Sequence, residues 1–79
     1  MWVVNGTGGT LCYAVDGTGI GMKCLGDGIH HYGTFPPGTY EEIVWTGCGV
    51  TYAPHYFPPG EWDRTFRCAQ PTLSSDRPT

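Results

Sequence analysis

The sequence predicts a small all-β domain, a β-sandwich or meander built from antiparallel hairpins. Three observations predict it. Apolar residues recur with period two, turn residues interrupt the chain at short intervals, and no segment carries a capped 3.6-residue period. The chain has 79 residues, including 13 Gly and 7 Pro, a level that by itself would point to disorder. Three Trp, five Tyr and three Phe point the other way, because disordered segments are poor in residues that bury large areas. The Gly and Pro are therefore read as turn chemistry. A domain of this size buries only about 60% of its unfolded surface and needs disulfides, a metal or a partner surface as a supplement.

The chain opens on apolar Trp2-Val3-Val4, followed by turn residues Asn5-Gly6. Thr10 to Val15 is apolar on both sides and connects through Asp16-Gly17-Thr18-Gly19 to Ile20–Cys24, which reads as a hairpin. An internal repeat then organises the middle. One unit runs Cys24, six residues, His31-Tyr32, then Phe35-Pro36-Pro37-Gly38, one residue, Tyr40 and Glu41, spanning about 24–47. The second runs Cys48, six residues, His55-Tyr56, then Phe57-Pro58-Pro59-Gly60, one residue, Trp62 and Asp63, spanning about 48–69. The first carries two extra residues, Gly33-Thr34, before its Phe. Each unit reads as a hairpin turning at Pro-Pro-Gly, where Pro presets φ and Gly accepts positive φ.

Within these units, Tyr40 and Val44 share one face of the 39–46 strand, and Ile43 and Trp45 share the other. Both faces want cover, so this strand is expected to be central or to touch a partner. In the last strand Trp62, Phe66 and Cys68 share a face with Arg64 as the exception, while Glu61, Asp63, Thr65 and Arg67 form the solvated side. A single domain over 1–69 is expected, followed by an extended polar tail over 70–79.

Counting across the first hairpin loop brings Cys12 close to Cys24. The repeat units begin and end at cysteines, so Cys24, Cys48 and Cys68 should gather at one end of the sheet. Two disulfides are expected, most simply Cys12–Cys24 and Cys48–Cys68, although four cysteines allow other pairings. The alternatives are reduced thiols, or a tetrahedral zinc site on the four cysteines, which lack the usual Cys-x₂₋₄-Cys knuckles. No other cofactor is indicated. His31 and His55 lie seven positions from their cysteines, about 23 Å along an extended strand, so they should not share a metal with the thiols. With Tyr32, Phe35, Tyr56 and Phe57 they predict an aromatic, imidazole-rich loop end, either packed on its own prolines or offered for binding.

Composition narrows the function. Four basic residues against seven acidic ones give a net charge of −3, and the basic residues are scattered, which argues against nucleic-acid binding. No apolar run approaches the ~20 residues that span a membrane. No Ser lies outside Ser74 and Ser75, and adjacent Glu41 and Glu42 project to opposite faces of a strand, so no catalytic constellation is recognisable. Asn5-Gly6-Thr7 matches a glycosylation acceptor. The start of the chain lacks a basic and apolar leader, which predicts synthesis in the cytoplasm and action in a virion; a mature extracellular domain is the alternative.

Leu11-Cys12-Tyr13-Ala14-Val15, followed by Gly26-Asp27-Gly28, resembles a fragment of the tendamistat-type α-amylase inhibitors of actinobacteria. The likeness covers about 20 residues and implies an all-β sandwich with two disulfides. The Trp-Arg-Tyr tripeptide that carries inhibition in that family is absent from this sequence, and Trp62-Asp63-Arg64 does not replace it.

These readings converge on a non-enzymatic module that docks on a protein partner, either a larger assembly or further copies of itself. A phage capsid decoration protein is the most concrete version. A secreted, disulfide-stapled inhibitor or binder is the alternative, and a small zinc-binding module the third. The residues expected to carry contact are Trp2, His31, Tyr32, Phe35, Tyr40, Trp45, His55, Tyr56 and Phe57.

Overall fold

A computed structural model of the chain describes residues 1–69 and 72–75. Among them the strands are β1 (Trp2–Gly6), β2 (Leu11–Asp16), β3 (Lys23–Leu25), β4 (Gly28–His31), β5 (Gly38–Thr46), β6 (Gly49–Phe57), β7 (Asp63–Ala69) and β8 (Thr72–Ser75). They form two four-stranded sheets, ordered β4-β1-β7-β8 and β3-β2-β5-β6. The second sheet is antiparallel throughout; in the first, β1 and β7 run parallel. This is the all-β, hairpin-built sandwich that the alternation predicts.

Period-two patterning decides which side chains meet between the sheets. Leu11, Tyr13 and Val15 of β2 point inward, as do Val44 of β5, Val3 of β1 and Phe66 of β7. Tyr32, Leu25, Phe57, Trp62 and Met1 complete the core. The strands that are apolar on both sides, β2 and β5, occupy the centre of the second sheet. The nine-residue β6 is its edge, and Pro54 lies within it. Proline has no N–H for a ladder, a lack that an edge strand tolerates and a central one does not.

The hairpins are present, but their turns fall elsewhere than at Pro-Pro-Gly. The tight turn is Gly47-Cys48, which joins β5 to β6 within the second sheet. The Pro36-Pro37 segment instead carries the chain from β4 in the first sheet to β5 in the second, and Pro58-Pro59-Gly60 carries it back from β6 to β7. The two units are therefore sheet-to-sheet arches. Proline is suited to this role as well as to turns, because a fixed φ and a missing donor keep the segment out of either ladder.

The cysteines pair as Cys12–Cys24 and Cys48–Cys68, with none left free. Cys12 and Cys24 are register partners on β2 and β3. Cys48–Cys68 ties the β5–β6 turn to β7 and so clamps the two sheets together. Cys12 also lies opposite Trp45, beside the turn that holds Cys48, which gathers all four sulfurs at one end as the spacing predicts. With every thiol in a disulfide, the cysteine zinc site has no thiolate ligands, and that reading is withdrawn. Of the segment expected to form a polar tail, Thr72–Ser75 pair with β7 as β8, while residues 70, 71 and 76–79 lie outside the described residues.

Candidate functional site

The arches meet at the end of the sandwich away from the disulfides. They are built alike from Phe onward. Tyr40 Oη donates to the Pro36 carbonyl at 2.8 Å, and Trp62 Nε1 donates to the Pro58 carbonyl at 3.0 Å. In each unit, then, the aromatic after Pro-Pro-Gly satisfies the carbonyl of the first proline four residues back. The rings interlock across the units: Phe35 lies 5.2 Å from Phe57, Phe57 4.9 Å from Trp62, and Phe35 5.3 Å from Tyr40. A cleft of about 310 Å³ opens between the arches, lined chiefly by Phe35, Phe57, Trp62 and the prolines, with Glu61 at its border.

The first halves of the units are not alike. From Cys48 to His55 the chain follows one continuous strand, so His55 points inward and Tyr56 outward. From Cys24 to His31 it leaves β3, crosses at Gly26-Asp27 and enters β4, so His31 points outward and Tyr32 inward. Equal spacing thus yields opposite parity. Tyr32 is fully buried; its hydroxyl accepts from Val15 N at 3.0 Å and donates to Gly21 O at 2.7 Å. Phe57 is likewise buried, and Phe35, Tyr40 and His55 are half-buried. The sequence expected all of these to be contact residues. The structure spends them on closing the end of the core.

The interior also holds a charged network that the sequence reading missed. Glu42 of β5 and Arg64 of β7 are both buried. Arg64 donates from Nε to Glu42 Oε2 at 2.8 Å and from its terminal nitrogen to Oε1 at 2.6 Å, while Tyr13 Oη donates to Oε2 at 2.6 Å. Arg64, the exception to the alternation of β7, is thus a cross-sheet tie. Burial would lower the Arg64 guanidinium, but hydrogen bonds and the charge of Glu42 outweigh it and hold the group above its ordinary value. Burial, then the charge of Glu42, pushes the Tyr13 phenol upward. Burial, reinforced by Arg64, holds the His55 imidazole below its ordinary range, and its Nε2 is buried without a hydrogen-bond partner. The Asn5 amide of the acceptor motif is buried too, donating to the carbonyls of Gly9, Leu25 and Gly26, so it is not presented for glycosylation.

The exposed aromatics lie on the flat faces. On the first sheet Trp2 packs edge-on against its register partner His31 at 4.9 Å, beside Val4 and Ile29, while β7 presents Asp63, Thr65 and Arg67 on the same face. The outer face of the second sheet differs. Register places Trp45 beside Val50 and Ile43 beside Tyr52, with Ala14 behind Ile43 and Tyr56 further along β6. Trp45 is 53% exposed, Val50 58%, Tyr52 65% and Tyr56 59%. Exposed Met22 lies next to Ala14 and Ile43. The charged side chains that alternation directs onto this face are Asp16 and Glu41, register partners at one end of it.

Of the expected contact residues, this face unites Trp45 and Tyr56 and adds Val50, Tyr52, Ile43 and Met22, which the sequence reading did not single out. Their signal was available on β6, where alternation sets Val50, Tyr52 and Tyr56 in one row opposite Thr51, Ala53 and His55. Among the described residues no group of three or more His, Cys, Asp or Glu is placed to hold a metal ion. No known family matches the chain, and neither does any curated protein or solved structure.

Proposed function

We propose that this chain is a non-enzymatic interaction module that docks on a protein partner through the outer face of its second sheet. The observation that carries the reading is the row Trp45, Val50, Tyr52 and Tyr56, each more than half exposed on one face with Ile43 between them. Monomeric soluble proteins rarely leave a contiguous apolar patch of this kind to water, and Trp and Tyr are the residues that most often anchor interfaces. A component of a large assembly, such as a decoration protein on a virion shell, is the most concrete form of the proposal.

Site-specific photo-crosslinking tests it. A photoreactive residue replaces Val50, and in a control replaces Asp27 on the β3–β4 loop, outside that face, in the cells that make the protein. Adducts to protein at Val50 but not at Asp27 support the docking face. Equal adducts at both positions, or none at Val50, remove it.

The disulfides favour a second reading, a secreted binder stapled for life outside the cell, because such bonds persist in oxidising compartments. Mass spectrometry of purified particles against cell-free medium separates the two, since a virion component stays with the particles.

A further inference from the structure

We infer that the occupant of the second sheet's outer face is a second copy of this chain, packed face to face about a two-fold axis. The inference rests on the docking reading above and names its partner. The nine-residue β5 and β6 run about 30 Å and four strands about 4.8 Å apart span about 19 Å, so the face presents at most about 600 Å², below the ~800 Å² that each partner contributes to a standard interface and in the range of a pair that dissociates on dilution.

The charge pattern decides how two copies can face each other. Along the strands the face runs from an uncharged end, with Trp45, Val50 and the Cys12–Cys24 disulfide, through Ala14, Ile43 and Tyr52, to an acidic end with Asp16 and Glu41. A two-fold axis lying between the sheets, perpendicular to the strands and passing over Ile43 and Tyr52, lays each acidic end against the other copy's uncharged end. Trp45 then faces Glu41 of the second copy, and no carboxylate meets another. An axis along the strands that runs between β2 and β5 would set Asp16 against Glu41 of the second copy and is disfavoured by like-charge repulsion.

Growth by edge pairing is the competing route to self-association, since β6 is a long, exposed edge. Pro54 in the middle of that edge interrupts any further ladder. The paired arrangement leaves Trp2, Ile29 and His31 of both copies on opposite outer surfaces.

Analytical ultracentrifugation of the purified, oxidised chain from micromolar to millimolar tests the inference, with a charge swap to fix the geometry. Wild type is expected to sediment as a dimer that dissociates on dilution. Val50→Glu sets a carboxylate near Glu41 of the second copy and should weaken association by about a hundredfold, with unchanged circular dichroism. Val50→Glu combined with Glu41→Lys should restore the dimer. Within one chain these positions lie two register steps apart, about 13 Å, so the rescue acts only across the interface. A wild type that stays monomeric throughout overturns the inference, as does a dimer indifferent to Val50→Glu. If the chain is monomeric while Val50 still crosslinks to a different protein, the docking reading survives and the second copy does not.

Discussion

The arch end and the outer face of the second sheet are made from the same residue types and end in opposite environments. Phe35, Tyr40, Phe57 and Trp62 interlock at the arches, where the Tyr40 hydroxyl and the Trp62 indole each donate a hydrogen bond to a proline carbonyl. Trp45, Tyr52 and Tyr56 stand on the outer face with more than half their surface in water. A sandwich this small has one interior. Rings that reach it close the fold, and rings of opposite strand parity are left for something else. Aromatic content alone therefore says nothing about binding; parity within the sheet does.

Replacement of one ring from each region tests that contrast most directly. Phe57→Ala should cost about 3–5 kcal/mol, because it removes a buried ring and leaves a cavity among Phe35, Trp62 and His55. Trp45→Ser, measured in the Val50→Glu background so that self-association does not contribute, should stay within about 0.5 kcal/mol in urea unfolding. Equal losses would collapse the distinction.

Of similar size is the effect expected at the charged tie between the sheets. Glu42→Ala leaves Arg64 buried without its carboxylate and should cost about 3–5 kcal/mol. Glu42→Leu with Arg64→Met should lose much less than either single change, since two apolar residues of similar volume replace both charges. A double variant worse than the singles would mean that the pair contributes more than its own compensation.

Next in size are the disulfides. Cys48→Ala/Cys68→Ala opens a link between sheets with a sequence separation of 20 and should cost about 3 kcal/mol. Cys12→Ala/Cys24→Ala opens a shorter loop, with a separation of 12, between strands already paired by hydrogen bonds, and should cost less. Thermal melts of the two variants rank them, and the reverse order would show that the first hairpin, not the clamp between sheets, limits stability.

The smallest effect expected is a pH dependence. The His55 imidazole is held below its ordinary range in the fold, so over the interval between its folded and unfolded values the unfolded chain binds more protons. Stability is then full above the ordinary histidine value, near about 6.5, falls as pH drops through it, and levels off below the folded value. His55→Gln should flatten urea midpoints between about pH 8 and pH 5 relative to wild type. An unchanged slope would place the dependence at other groups.

Much of the fold was legible in the residues. Period-two alternation marked β7, and apolar residues on both sides marked the 39–46 strand as central or partner-facing; it is central in its sheet and still leaves Trp45 exposed. Cysteine spacing offered the pairing found as the simplest of those four cysteines allow, since counting across the first hairpin loop sets Cys12 beside Cys24 and leaves Cys48 for Cys68. The candidate site was half legible. Trp45 and Tyr56 were expected contacts and are exposed, whereas Tyr32 and Phe57 were expected contacts and are core. Reading Pro-Pro-Gly as a hairpin turn keeps both arms in one sheet, whereas the arches carry the chain between the sheets and turn Tyr32 and Phe57 into the core.

By itself, then, the sequence determined the all-β class, most of the strands and the simplest way to pair four cysteines, because these depend on neighbours a few positions away or on sulfurs brought together by counting. Only the tertiary structure decided which sheet each strand joined, that Arg64 would find Glu42 across the interior, and that β5 and β6 would turn an apolar face to solvent. Those outcomes depend on which surfaces meet across the sandwich, and a crossing between sheets inverts the inward side without altering a single local preference.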